Sequence, residues 1–419
     1  MTKFFKEDTK NSIRSVIGDA RHKREQVFED LKIDEESFKD EVVEIRKKTF
    51  TNFAENLKIA KDNFAKRGFI VHEAKELADL KPIFKETLKD AKSIACSKTN
   101  TGREIDLDKL LKNFENFETD LGDFIVQLFN EEDQHYVLPA IHIDAEDISK
   151  KVKEVFNEDV EADPTKLTHF LCDRIREKIL SADVGMTGAN FITKGGQVVL
   201  LENEGNISLV SRLPKKHIVL VGIDKLVETV EDATKLCKAA AMFGTGQDIT
   251  QYISIISGPS KTADIENKLV QGAQGAKEVH IILIDNKRTE MFEQGFADFL
   301  RCINCGSCIN ACPVYYQKGN KFGGGKYIGA KGLISGYFRE SSDFLMKKGL
   351  FDCMLCGACS DNCPMRIPLA KMIRKIRNDG QKKGIQTEEN KQMLENVKKH
   401  GNPFGKVSDK EVPDKIYCC

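Results

Sequence analysis

The sequence predicts an α/β domain led by helices and followed by a second, mainly helical domain rich in cysteine. Three observations predict it. Short apolar strands alternate with amphipathic helices from Gly68 to about residue 295; the residues before Gly68 carry a helical pattern alone; and a four-cysteine phrase occurs twice after residue 300. Residues 1–67, 68–295, 296–397 and 398–419 are therefore expected to form an N-terminal helical region, the α/β domain, the helical cysteine domain and a C-terminal tail.

From Phe4 to about Lys66 the pattern is helical, with Phe50, Phe53, Leu57 and Phe64 mostly on one face as a packing stripe. The expected strands follow: "FIVHEA", "AKSIACS", "HYVLPAIHI", "GQVVLLEN", "KHIVLVGID", "ITQYISIIS" and "EVHIILID". Helical patterns intervene near Leu77–Leu88, Leu121–Phe129, Ile148–Phe156, Leu167–Leu180 and Leu226–Met242. Such alternation implies a largely parallel sheet with a ligand crevice beyond the strand ends. "ANFITKGGQVVLLENEGN" reads as a hairpin turning at Gly195–Gly196. "FGTGQDI" has two glycines of a dinucleotide fingerprint, but Ile249 takes the third position and a helix precedes it, so nucleotide binding is not expected there.

Lys+Arg and Asp+Glu are both 65 in 419 residues, so no global field draws the chain to nucleic acid or anionic lipid. The opening "MTKFFKEDTKNSIRSV" lacks the apolar centre of a secretory signal, and no apolar run is long enough to span a bilayer. A cytoplasmic protein without a membrane span is expected. Thirteen cysteines then need another explanation than disulfides. Cys96, Cys172 and Cys237 lie in apolar contexts and are expected to pack in the core.

Eight of the cysteines fall in "CINCGSCINACP" from Cys302 and "CMLCGACSDNCP" from Cys353. Zinc sites pair two Cys-x-x-Cys hooks at a distance, whereas each phrase here packs four sulfurs and ends in Cys-Pro. That is the cluster-binding pattern of bacterial-type ferredoxins, whose fourth cysteine serves the other cluster. Two [4Fe–4S] clusters are expected: one on Cys302, Cys305, Cys308 and Cys363, the other on Cys353, Cys356, Cys359 and Cys312. The long insert between the phrases has helix-like spacing near Leu333 to Leu350, which points to the helical kind of two-cluster domain. Its "GNKFGGGKY" lacks the residues of a phosphate loop and reads as a plain loop.

"FETDLGDFIVQL", "HYVLPAIH", "GMTGANF" and "NEGNISLVSRLPKKHIVLVGIDKLVETVEDA" resemble the LUD domain of the lactate-utilisation iron–sulfur protein B family. "GTGQDITQYISIISGP" and "VHIILIDNKR" continue the resemblance into the first cysteine phrase. The resemblance implies a NagB/RpiA/CoA-transferase-like α/β domain fused to a two-cluster ferredoxin domain. It also implies an electron-transfer subunit of a cytoplasmic complex oxidising L-lactate to pyruvate, beside a cysteine-rich CCG-domain subunit and a small LUD-domain subunit. The chain departs from the family at "SKTNTGREIDL" (Ser97–Leu107), "TKGG" (Thr193–Gly196) and "MFGTGQ" (Met242–Gln247). These departures keep open a second class: an electron-wiring adaptor of another CCG-type complex, like heterodisulfide reductase, with the LUD domain as scaffold. "HGNPFG" resembles the connector into a CCG domain in fused relatives, so residues 398–419 are expected to dock on such a subunit.

For a small carboxylate or other anion, Asn190, Asn203, Glu204 and Asn206 crowd the hairpin and its following loop, a setting of turns or of ligand hydrogen bonds. Arg212 and Lys216 bracket Pro214 as a cationic pair suited to a carboxylate, or as a solvated edge. His135, His142, His217 and His280 each adjoin a strand; His142 and His217 fall in the resembling phrases and are the better ligand candidates. Glu118 and Asp120 sit at a strand-to-helix junction, and Asp120 is read first as the cap of the helix from Leu121. No hydride-handling or flavin motif accompanies them, so a partner is expected to share the chemistry.

Overall fold

Three helices lead the chain in this computed structural model, which describes residues 7–131, 139–140, 142–323, 326–382 and 384–406. They run Glu7–Asp30, Glu35–Thr51 and Phe53–Arg67, so the helical stretch is broken twice. Asp34 starts the second helix by accepting the Ser37 N–H at 2.8 Å. Across the second break the Phe50 and Phe53 rings stack with centroids 5.1 Å apart, and Phe64 is fully buried.

The α/β domain contributes strands β1 (Ile70–Ala74), β2 (Ser93–Cys96), β3 (Glu115–Glu118), β4 (Val184–Thr187), β5 (Phe191–Thr193), β6 (Val198–Glu202), β7 (Lys216–Gly222), β8 (Leu226–Val227) and β9 (Tyr252–Ile256). A short ribbon, β10 (Lys261–Thr262) with β11 (Val270–Gln271), precedes the last strand, β12 (Glu278–Ile284). Six strands form one parallel sheet in the order β1-β12-β7-β4-β2-β3. Its central strands carry long apolar runs, Ile218–Val221 in β7 and Ile281–Ile284 in β12, because both faces are covered. Along β7, Ile218 and Leu220 join Leu80, Phe84 and Ile94 on one side, while Val219 and Val221 join Phe64, Ile192 and Val198 on the other.

A second, mixed sheet runs β8-β5-β6-β9, with β5 and β6 as the expected antiparallel hairpin. Helix Val230–Thr245 starts on a capping box between Thr229 and Asp232, so the pattern read from Leu226 divides into strand β8 and this helix. Strand β4 was not expected, whereas β3 ends at Glu118, at the strand-to-helix junction expected before the Asp120 cap. Most of "HYVLPAIHI", including His135, lies outside the described residues, as do Cys418 and Cys419.

After residue 300 the described elements are helical: Ser307–Asn310, Pro313–Lys318, Gly329–Arg339, Ser342–Lys347, Ala358–Asp361, Leu369–Lys382 and Glu388–His400. This part shares its core with the rest of the chain. Phe28, Phe191, Val199, Leu236 and Met242 belong to the same buried cluster as Ile309, Tyr315, Leu333 and Ile373. Cys96 and Cys237 are buried as expected, but Cys172 is exposed. Helix Pro164–Ser181 buries Leu167, Leu171, Ile175 and Ile179, and Cys172 stands about 100° round from that stripe.

Buried charges join the parts. The Arg46 guanidinium, 0 % exposed, donates to Leu226 O at 2.6 Å, Leu300 O at 2.9 Å and also to Asp224 O. Glu104 receives Arg288 at 2.7 Å and 3.0 Å, Asn286 at 2.7 Å and the Tyr327 hydroxyl at 2.8 Å, with Arg339 at 3.4 Å. Asp224 pairs with Arg288 and, at 2.7 Å, with Lys225. At the surface, Arg366 Nε donates to Asp40 at 2.9 Å, closing late chain onto early chain. Among the described residues no helix is long and apolar enough to cross a membrane.

Candidate functional site

The two cysteine phrases fold alike. Asn304 and Leu355, each just before the second cysteine, have φ of 62° and 53°; Gly306 and Gly357, each just after it, have 85° and 89°. The left-handed step after the second cysteine suits glycine, and a short helix then carries the third cysteine in each copy. Cys302, Cys305, Cys308 and Cys363 line one cavity of about 30 Å³. Cys312, Cys353, Cys356 and Cys359 line another of about 20 Å³. Each pocket thus takes three thiols from one phrase and the last thiol of the other.

The walls are otherwise mostly apolar, with Phe299, Ile303, Met365 and Ile367 around the first pocket and Val314, Phe322 and Leu355 around the second. Backbone N–H groups point at the sulfurs: Asn304 to Cys302 at 3.4 Å, Ile367 and Met365 to Cys363, and Tyr315 and Val314 to Cys312. Burial pushes the Cys305 and Cys359 thiols up to about 12 and Cys363 up to about 11. Free thiolates are therefore disfavoured here, whereas a group bringing its own positive iron is accommodated. A sulfur-only donor set, apolar walls and N–H donors fit an iron–sulfur cluster in each pocket.

A larger cavity of about 440 Å³ opens at the carboxyl ends of the strands, bounded by Ser97 and Lys98 after β2, Asp120 after β3 and Gly188 after β4. Asn190, Asn203, Glu204 and Asn206 line it, as do Lys225 and Gln247. Its remaining wall is Ile303, Asn304 and Cys305, the loop of the first thiol pocket. Asp120 both caps helix Leu121–Phe129, accepting the Asp123 N–H at 3.2 Å, and faces this space. Lys98 Nζ lies 3.0 Å from Asp123. Lys225 Nζ donates to Cys302 O at 2.8 Å, tying the cavity to the thiol loop. Glu204 stands at the open rim, yet crowding by protein and the neighbouring Asp120 raise its carboxyl pKa to about 7.

Four sequence-predicted residues are elsewhere. Arg212 donates to Ser254 at 3.1 Å, and Lys216 to Thr87 O at 2.8 Å. His142 meets Glu131 at 2.8 Å. His217 is fully buried against Thr187 at 2.8 Å, and burial lowers its pKa to about 3, so it is neutral. None of the four lines the cavity. Lys216 and His217 begin β7, at the amino end of the strand, whereas the cavity collects carboxyl ends. Sequence reasoning missed Ser97, Lys98 and Lys225; the available signal was the departing segment that starts at Ser97.

Gly244, in the "FGTGQ" segment, has a packing role. A Cβ there would meet Cys305 O at 2.8 Å, so glycine is what lets helix Val230–Thr245 touch the thiol loop. Gly244→Ala should cost about 1–3 kcal/mol, because backbone rather than a flexible side chain must yield. Thermal melting reads the loss, and any change in iron content should be confined to the first pocket.

The LUD domain model matches residues 57–284, and the 4Fe-4S dicluster domain model matches residues 298–367. Over 348 residues the chain is 34% identical to lactate utilization protein B of Macrococcus caseolyticus (strain JCSC5402), covering 82% of this chain and 71% of that one. Over 356 residues it is 33% identical to the uncharacterized electron transport protein YkgF of Escherichia coli (strain K12), covering 84% and 73%. A DUF162 family protein of known crystal structure, from Deinococcus radiodurans, aligns with 55% of this chain and 97% of its own at 14% identity and a TM-score of 0.31.

Proposed function

The chain belongs to the LUD-domain family, in the form joined to a 4Fe-4S dicluster domain, and from that premise we propose that it is a two-cluster electron-transfer subunit of a cytoplasmic complex oxidising L-lactate to pyruvate. The observation that carries this is the pair of four-thiol pockets, each completed by a cysteine from the other phrase. Cys302, Cys305, Cys308 and Cys363 would hold one [4Fe–4S] cluster, and Cys353, Cys356, Cys359 and Cys312 the other. When bound, such clusters accept and release single electrons. The chain's own contribution is to hold their iron through eight thiols, to exclude water with apolar walls, and to direct backbone N–H groups at the sulfurs.

Lactate enters the reading through the name of the Macrococcus relative, and electron transport through that of the Escherichia relative. A CCG-domain subunit and a small LUD-domain subunit are the proposed partners, with residues 398–419 docking on the former. A second reading makes the LUD domain a scaffold of another CCG-type redox complex. It is favoured by the pairing of both cavity lysines, Lys98 with Asp123 and Lys225 with Asp224, which leaves less free positive charge for a substrate.

Anaerobically purified protein should carry about eight irons and eight sulfides per chain. With its co-purifying subunits restored, L-lactate should bleach the visible absorption of the clusters. Stoichiometric zinc without visible absorption defeats the cluster assignment. Intact clusters that lactate leaves oxidised, while another substrate of the pulled-down complex reduces them, favour the scaffold reading.

A further inference from the structure

An excess of buried positive charge lies against the first thiol pocket. Lys225, Arg288, Lys331 and Arg339 line one small cavity together with Glu104, Asp224 and Cys302. Arg46 reaches the same place from the second helix, donating to Asp224 O and Leu300 O. Four of these cations are buried, and the Arg339 side chain is 9 % exposed. Glu104 takes Arg288 and Arg339, while Asp224 takes Arg288 and Lys225. Arg46 is met by carbonyl oxygens, and Lys331 by the Asn304 side-chain oxygen and, at 4.0 Å, the face of the Tyr327 ring. Five cations against two carboxylates leave three positive charges over. An interior does not hold unmatched charge without cause, because taking it out of water is costly.

Lys331 carries this charge to the thiols. Lys331, Ser335 and Arg339 recur every four residues along helix Gly329–Arg339 and so share a face. Lys331 lines the pocket of Cys302, Cys305, Cys308 and Cys363, and it holds Asn304, whose N–H donates to Cys302 Sγ at 3.4 Å. Arg46 keeps its charge there: burial lowers its pKa to about 10, and Asp224 and then Cys302 oppose the fall.

The second pocket differs. Its described lining holds no charged side chain. Arg377, half-buried, reaches Cys353 O at 2.5 Å from outside that lining. Met354, 69 % exposed, and the exposed Cys356 turn this loop to water. Water screens charge at such a loop, whereas buried cations act across a low-dielectric interior. A cluster on four thiolates is net negative and becomes more so on reduction, so charge around it sets its potential.

We infer that the buried cations are the counter-charge of the Cys302, Cys305, Cys308 and Cys363 centre, that they make it the more easily reduced of the two, and that Lys331 is the residue through which they act most directly. This rests on the cluster assignment proposed above and adds the direction of flow within the chain. One electron leaves the Cys353 centre, which is oxidised, and enters the Cys302 centre, which is reduced; no bond and no proton moves.

The test uses the full chain with its clusters, titrated anaerobically with dithionite and redox mediators and followed by electron paramagnetic resonance. Cys312→Ala, which removes a thiol of the Cys353 centre, tells the two signals apart. In the parent the Cys302 centre should be reduced first. Lys331→Met, which keeps the length and removes the charge, should shift that centre's reduction equilibrium about tenfold towards the oxidised form, about 59 mV lower in potential. The Cys353 centre should move far less, iron content should be unchanged, and Lys331→Arg should keep the parent's potential. If Lys331→Met fails to fold, Lys331→Gln takes its place, and the order of reduction in the parent decides if both fail. A parent whose Cys353 centre is reduced first, a shift that is absent or shared equally by both centres, or a Lys331→Arg potential as low as that of Lys331→Met overturns the inference and leaves the electron-transfer function standing. A chain loaded with zinc overturns both.

Discussion

Cys312→Ala should damage the centre of the Cys353 phrase and spare that of its own. Cys312 lies beside Cys308 in the chain, yet it lines the pocket of Cys353, Cys356 and Cys359, where Tyr315 and Val314 direct N–H groups at its sulfur. Without it, three thiols remain for that centre. Iron should fall from about eight per chain to roughly seven if a three-iron form persists, or roughly four if the centre is lost. The resonance signal of the Cys302, Cys305, Cys308 and Cys363 centre should keep its shape. Cys363→Ala should give the mirror result. Damage to the Cys302 centre by Cys312→Ala would mean that each phrase holds its own cluster, and the shared pockets would need another explanation.

The largest loss of stability should come from Glu104→Gln. Burial alone would raise the Glu104 carboxyl, but Arg288, then Arg339, with hydrogen bonds from Arg288 and Asn286, outweigh it and hold the pKa at about 2. Removing this charge leaves Arg339 and part of Arg288 uncompensated in the interior, a change worth about 3–5 kcal/mol. The melting temperature should drop by roughly 10 °C. The pH dependence carries its own sign. The folded pKa lies below the ordinary 4.5, so the stabilisation is fully present above about pH 4.5 and is lost as pH falls towards 2. Acid unfolding of the parent should therefore show a slope across that window which Glu104→Gln lacks. Equal slopes in the two proteins would remove Glu104 from the account of stability.

Much of the fold was legible because local chemistry and tertiary burial agree. The uninterrupted apolar runs Ile218–Val221 and Ile281–Ile284 became the bodies of neighbouring central strands, β7 and β12. Helix Leu121–Phe129 begins where Asp120 caps it, a signal contained in four residues. Strand β4 was not legible, because it has four residues and "VGMT" carries a glycine; β3 was read only as a strand-to-helix junction, since "ENFE" is polar at the sheet's edge. The thiols that the pattern assigns to one cluster line one pocket in each case. The cavity was only half legible. Asn190, Asn203, Glu204 and Asn206 are close in sequence and remain together in space. Lys98, Lys225 and Asn304 converge through sheet topology, which no local spacing announces. Arg212 and Lys216 looked like an anion-binding pair because Pro214 brackets them, but they are committed to Ser254 and Thr87.

The bond between Arg366 and Asp40 spans 326 residues. It lies over a core in which the leading helices pack against the helices that carry the cysteines. In kinetic language this is high contact order, and loop-closure entropy must be met before such contacts repay it. On the ribosome, the helices at residues 7–67 can pack against the α/β domain first, through Phe64 with Val198 and Val219 and through Phe28 with Phe243, and the part of that core filled by the cysteine-bearing helices closes last. Neither thiol pocket is complete before the second phrase has emerged, since Cys363 belongs to the first pocket. On the proposed ligand assignment, metal loading would be a late, nearly all-or-none step of biogenesis. A chain stalled between the two phrases is left with an uncovered core and two incomplete metal sites, the kind of species that chaperones and proteases clear.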